Sequence, residues 1–556
     1  MTTSADFRKA ARGWEPLLVF LVLAAHAAWP VPDVNEAHYL GKAKHFWNPN
    51  WASGDFFLES ADAHLTFYVT VGWIASVADL EHAAWAGRIL TWLLLAWSWT
   101  RLSHSILPRF GTAVLSAAMF VALLHHCNMA GEWVVGGFES KGIAYALVFF
   151  GLEALVRDHW KAVWLWLGAA AAFHVLVGGW AVVAAGIAWL ITGRRRLPIR
   201  SMAPWLIAGG VLSLPGVLPA LWLTHATAAD QVADPNLIKE ANRIYVFGRL
   251  SHHLYWPRFA EHLRLRHAVL FLAWNNLVWL ALYLASRKET TGNEQNNVEQ
   301  NNEPDEHDRA RNLQAFVLGS VMISGVGMLI PLVAPTQHDV LASLLKFYWH
   351  RLSDVMLPVG TTFALLQTAF LLGDRKPSAP RFAWSARVLW SAAILFAALH
   401  VGDQVRQKAT TTVPRGFRFR DAETYADWKE ACQWISENTP ADARFLTHRD
   451  VALFKWHAGR AEVVNWKDVP QDAASVKKWW DLIHQINRNK AGRWCDSLAE
   501  HGEEGLIWLA TDEKVGCQAN YVITFSDRPL RLPRVYPPPR ETSAFAVYRL
   551  DAPEDR

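Results

Sequence analysis

Apolar runs of about 20 residues, the length a helix needs to cross a hydrocarbon core, recur from residue 14 to residue 401. They predict eleven spanning helices, near 14–31, 84–100, 112–130, 141–157, 161–175, 178–193, 202–224, 267–285, 313–334, 344–372 and 384–401. Of the long interruptions between them, two stand out. The first, 32–83, opens with "VPDVNEAHYLGKAKHFW"; the second, 286–312, contains "TGNEQNNVEQNNEPDEHDRA", whose Asn-rich composition predicts a disordered linker. After residue 401 no run is long enough to span, and the periodicity changes. A helix is expected over 425–438 ("YADWKEACQWISEN"), stopped by Pro440, followed by strand-like runs at "ARFLT", "AEVVNW", "YVITF" and "FAVYRL". The pattern therefore predicts a mainly α polytopic membrane protein over 1–401, with a soluble α/β domain over 402–556.

Basic residues set the expected orientation. Arg8, Lys9 and Arg12 place the N-terminus in the cytoplasm, and Arg101, Arg109, Arg157, Lys161 and the run Arg194, Arg195, Arg196 and Arg200 mark further cytoplasmic turns. The first run lacks a small-residue cleavage site and is expected to remain as a span. The apolar segment 64–78 does not fit this count as a crossing and is read as a juxtamembrane or re-entrant helix. With eleven spans the 286–312 linker is cytoplasmic and the C-terminal domain extracytoplasmic.

Composition adds two constraints. The chain has 556 residues, 52% hydrophobic and 19% charged, with a net charge of +4 and no basic stripe, which argues against a nucleic-acid partner. Thirty-one tryptophans suit residues placed at bilayer interfaces. The four cysteines show no CxxC spacing, so no metal or redox motif is implied, although Cys495 and Cys517 share the domain placed outside.

Sorted by this topology, most unusual polar residues gather on the outward face: Asp33, Asn35, Glu36 and His38, then Asp55, Glu59, Asp62 and His64, then Glu132, Glu139 and Lys141, and finally His174, His350 and Arg351. Ionisable groups at helix ends in a bundle are costly to leave unpaired, and a shared polar cavity would hold them. Each also has a plainer reading. The first loop can be a solvated acidic loop, His174 can bond backbone freed by the "HVLVGG" turn, and Glu139 with Lys141 can be an ion pair without chemistry. Asp62 and His64, within "DFFLESADAH", carry ligand types for a divalent cation, but in no fixed spacing.

The layout and several short strings resemble the GT-C glycosyltransferases, which take a sugar from a polyprenyl-phosphate donor. "NEAHYLGKA" is similar to the "DEAHF" start of the first outward loop in protein O-mannosyltransferases. "HLTFYVTVGWIASVADLEHAAWAGRIL" and "YWHRLSDVMLPVG" are similar to segments of the lipid A aminoarabinose transferases. "DWKEACQWISENTPADARFL" looks like the first helix and strand of the outward domain in many such proteins. The resemblance implies hexosyl or pentosyl transfer at a bacterial inner membrane, to an acceptor glycan, lipid or protein. It also implies a carboxylate base in the first loop. Asn35 stands where the family has the first acid, and an amide cannot take a proton, so the role falls to Glu36 or Asp33. Arg351, Lys141 and His174 are the cations expected at the leaving phosphate, with Asn35, His38, Glu139 and His350 around the substrate. The competing readings are a transporter, whose charges should lie at mid-membrane, and a non-catalytic envelope protein with a binding ectodomain.

Overall fold

The computed structural model describes residues 4–192, 197–225, 234–291, 304–374, 380–419, 421–512 and 515–550. Among them, five helices are long and apolar enough to cross a membrane: Ile199–Leu223, Glu261–Arg287, Glu306–Val333, Arg351–Gly373 and Phe382–Thr410. Gly13–Ala27, Thr112–Cys127 and Val175–Ile191 are apolar but shorter. The expected count of eleven is corrected accordingly. Ser140–Val156 and Trp160–Phe173 have 17 and 14 residues, roughly 26 and 21 Å of helix against a core of about 30 Å. Leu80–Ile106 is long enough but carries Glu81, Arg88 and Arg101. The segment 64–78 is broken into Leu65–Phe67, Tyr68–Gly72 and Ile74–Val77, none of them span-length.

The helices pack around one apolar core in which the Trp99 ring stacks between Phe120, with centroids 4.6 Å apart, and Phe363, at 5.7 Å. Outside, Leu218, Trp222, Leu395 and Leu399 are each more than half exposed, a surface suited to a lipid bilayer. The 286–312 linker needs correcting at both ends, because helices Glu261–Thr291 and Glu306–Val333 run into it; its centre, 292–303, lies outside the described residues. Arg194, Arg195 and Arg196 also lie outside them.

The helix Pro380–Thr410 continues past residue 401, and the C-terminal domain begins beyond it. Its five strands are β1 (Arg444–Leu446), β2 (Ala461–Glu462), β3 (Tyr521–Phe525), β4 (Arg534–Tyr536) and β5 (Phe545–Arg549). They form one sheet in the order β2-β1-β3-β5-β4. β1 runs parallel to β2 and β3, whereas β5 is antiparallel to β3 and β4. Helix Ala422–Asn438 packs Trp428 and Ile435 on one face, and helix Ala473–Asn487 packs Trp479 and Ile483 on the other. Both begin at an aspartate that accepts a backbone N–H of the first turn, Asp421 from Thr424 and Asp472 from Ser475. The four strand-like runs expected from the sequence all lie in this sheet; the short β4 has no clear apolar alternation to announce it. Cys495 and Cys517 are both free thiols.

Helices Trp160–Phe173 and Ile199–His225 approach backbone to backbone. A Cβ on Gly209 would stand 2.3 Å from the Trp164 carbonyl oxygen, and one on Gly168 would stand 2.2 Å from that of Gly209. Small residues permit such contact, which in lipid supplies much of the association energy. Gly209→Ala should therefore lower thermal stability in detergent, by about 1–3 kcal/mol for an overpacked contact. Gly210→Ala, whose Cβ would have nothing within 4 Å, should be neutral or slightly stabilising through helix propensity. Equal melting temperatures for the two variants would contradict this packing.

Candidate functional site

The opening loop folds around its own carboxylates. Asn35 precedes helix Glu36–Trp47, and Glu36 turns inward to full burial. Arg88 grips it bidentately, Nε donating to Oε1 at 2.9 Å and Nη2 to Oε2 at 2.6 Å. The Asp33 N–H adds a bond at 2.9 Å and the Phe138 N–H one at 2.7 Å. All four of these contacts are to donors of the protein itself, and Glu36 is not among the residues that line the cavity described below. Asp33 is engaged similarly, by Arg415 at 2.8 and 2.7 Å and by the Val34 N–H at 2.7 Å. The geometry thus gives both acids expected to be the base a structural role: they fasten the loop to helix Leu80–Ile106, to the 131–139 segment and to the start of the C-terminal domain.

The other expected residues largely converge. Glu139 accepts from the Asn35 amide at 3.1 Å and from the Trp133 indole at 2.7 Å. Glu132 is flanked by Arg351 Nε at 3.1 Å and Lys141 Nζ at 3.4 Å, and the Lys141 ammonium sits 3.6 Å from the centroid of the Trp133 ring. Arg351 Nη1 donates to His174 Nε2 at 3.0 Å, so that nitrogen carries no proton. His350 does not join them: it is buried, with Nδ1 2.8 Å from Ser324 Oγ and its ring 5.4 Å from that of Phe259. Asp62 does not join a metal site. It accepts from the Tyr68 hydroxyl and the His64 N–H, both at 2.7 Å, and among the described residues no group of three His, Cys, Asp or Glu is arranged to hold a metal ion.

Of these residues Asn35, His64, His174 and Arg351 border a cavity of about 470 Å³ between the bundle and the C-terminal domain, whereas Glu132, Glu139 and Lys141 are not in its lining. Arg249, Lys346, Arg351 and Lys467 line it, together with His38, His64 and His174, and no Asp or Glu lines it among the described residues. Val217, Ala220, Leu221 and Leu223 of the span Ile199–Leu223 add an apolar wall to the lining. Arg249 donates to the Trp466 carbonyl at 3.0 Å and Lys346 to the Asn242 amide oxygen at 3.3 Å. Lys467 has no ion-pair or hydrogen-bond partner for its ammonium among the described residues. Burial, aided by Arg249, pulls its ammonium down to about 8. A positive chamber with one greasy wall suits an amphiphile with an anionic head.

Sequence reasoning missed Arg249, Lys346 and Lys467. Lys346 adjoins the segment singled out around His350 and Arg351, but Lys467 lies in "NWKDVP", where nothing local marks it.

The ion pair makes a prediction that reverses the role expected of Glu36. Glu36→Gln should destabilise the fold, on the order of 3–5 kcal/mol, because it leaves the buried Arg88 guanidinium uncompensated. The double variant Glu36→Met, Arg88→Met should recover a large part of that loss in a thermal melt. Full stability of Glu36→Gln alone would show that the pair is not structural.

A domain family of unknown function, DUF6798, matches residues 426–486. The match runs from within helix Ala422–Asn438 to nearly the end of helix Ala473–Asn487 and includes Lys467. A search of curated proteins finds no match to the chain.

Proposed function

We propose that this protein is a membrane glycosyltransferase of the GT-C type, moving a sugar from a polyprenyl-phosphate donor to an acceptor hydroxyl at the outward face of the membrane. The observation that carries the proposal is the cavity: among the described residues its lining has four cations and no carboxylate, with apolar side chains from a helix long enough to span. Transfer breaks the bond between the anomeric carbon and the phosphate oxygen, and the electron pair leaves with the lipid phosphate. Preorganised cations stabilise that charge as it develops, each typically worth about 10²- to 10³-fold in rate. Of the four, Arg351 is paired with Glu132 at 3.1 Å and donates to His174 at 3.0 Å. The apolar wall receives the first isoprene units. In this reading the C-terminal domain is extracytoplasmic and closes the chamber from the aqueous side. A transporter fits less well, since the bundle interior is packed by the apolar core around Trp99.

The test uses purified protein in nanodiscs with decaprenyl phosphate and, as comparison, decaprenol. The phosphate form should bind and the alcohol bind at least about tenfold more weakly. Arg351→Ala and Lys467→Ala should each cost on the order of 10- to 100-fold in affinity, the value of a charge-assisted hydrogen bond. Lys467 is cationic below its depressed pKa and neutral above it, so affinity should fall between about pH 7 and about pH 9. Lys467→Arg should abolish that fall. Equal binding of phosphate and alcohol by the wild type overturns the proposal.

A further inference from the structure

Resting on the transferase reading, a transfer that displaces phosphate also needs a group to take the acceptor's proton. With Glu36 and Asp33 paired to Arg88 and Arg415, and no carboxylate lining the cavity among the described residues, the base is sought in another side chain of the cavity. Three imidazoles line it, and their surroundings differ. His174 Nε2 accepts from Arg351 at 3.0 Å. Both ring nitrogens of His64 are engaged, Nδ1 with Ser140 Oγ and Nε2 with the Tyr39 hydroxyl, each at 3.3 Å. His38 has its Nδ1 3.2 Å from Asp468 Oδ1, and its Nε2 has no hydrogen-bond partner among the described residues. Its ring packs on Phe57 at 4.3 Å between centroids, and its side chain is 17% exposed.

We infer that His38 is the general base of this site and that Asp468, supplied by the C-terminal domain, is its positioning residue. Asp468 is suited to the task because its other oxygen is occupied. Oδ2 accepts from Lys455 Nζ at 2.6 Å and from the Asn465 amide at 2.8 Å. Burial pushes the Asp468 carboxyl upward, but the Lys455 ammonium and the bond from His38 outweigh it and hold it below the usual carboxylate range. Oδ1 is left to accept the His38 Nδ1–H, which selects the tautomer with a lone pair on Nε2. The acceptor hydroxyl gives its proton to His38 Nε2 while its oxygen forms the bond to the anomeric carbon. The bond from that carbon to the phosphate oxygen breaks, and its electrons leave with the lipid phosphate among the cavity cations. The imidazolium is stabilised by Asp468 until it returns the proton to solvent.

Diethylpyrocarbonate, which acylates an unprotonated imidazole nitrogen, tests the arrangement on the intact protein in nanodiscs. His38 should react faster than His64 and His174, decaprenyl phosphate should protect it where decaprenol does not, and Asp468→Asn should slow its modification about tenfold or more. Turnover is read as decaprenyl phosphate released from a set of decaprenyl-phosphate-linked hexoses and pentoses. His38→Asn, which keeps a donor for Asp468 but has no basic nitrogen, should retain decaprenyl phosphate binding and lose turnover by about 10²- to 10⁴-fold. His38→Ala should regain turnover with added imidazole, which a merely structural role would not allow. Asp468→Glu should keep more turnover than Asp468→Asn. Faster reaction of His64 or His174, or undiminished turnover by His38→Asn, overturns the assignment of the base. Fast, Asp468-dependent reaction of His38 with no turnover of any donor by the wild type leaves the paired side chains standing and overturns the transferase reading instead.

Discussion

One buried ammonium organises the contact between the two parts of this chain. Lys455, 3% exposed, lies 2.6 Å from Asp468, 2.8 Å from Glu462 and 3.3 Å from Asp55. Removing an ammonium from water costs several kcal/mol, and it is tolerated only with close, well-aimed partners. Here the partners come from both sides of the junction. Asp55 belongs to the opening loop, where it caps the short helix Phe56–Glu59 and also accepts the Glu462 N–H of β2 at 3.1 Å. Three carboxylates around one lysine are an excess of negative charge. Burial relieves part of it by pushing Glu462 above the usual carboxylate range despite the pull of Lys455.

Around that centre the polar residues fall into two sets. One is closed: Glu36 with Arg88, Asp33 with Arg415, and Lys455 with its carboxylates, each paired and with every carboxylate buried. The other is open, with Arg249, Lys346, Arg351, Lys467 and His38 bordering the cavity. The closed set fixes the backbone from which the open set projects. His38 stands two positions after Glu36 on one short helix, so the Arg88 contact also holds the ring's starting point. The loop has traded its acids for rigidity.

Much of the architecture is visible in the hydrophobic pattern, because burial imposes a period that can be read locally. The helices appear where apolar runs predict them, and β1, β2, β3 and β5 where short strand-like runs do. What the pattern misjudges is how many helices have the length and apolarity to cross, since an apolar helix buried among others, such as Trp160–Phe173, reads like a short span. The site was legible as residue types but not as partnerships. Nothing near Glu36 announces Arg88, 52 positions away, and nothing near His38 announces Asp468, 430 positions away. A carboxylate beside a loop start reads equally well as a base or as an anchor until the guanidinium is found.

The route by which Arg415 and Asp468 reach back to the first loop limits how the protein can be divided. Asp33 depends on Arg415, Asp55 on Lys455, His38 on Asp468, and the Ala63 N–H bonds Gln471 at 3.2 Å. Each contact joins residues far apart along the chain but adjacent across a single seam. The membrane part and the C-terminal domain are thus less two modules than two halves of one lock. Along the seam a change on one side leaves a buried charge on the other, so the two halves can drift only in step.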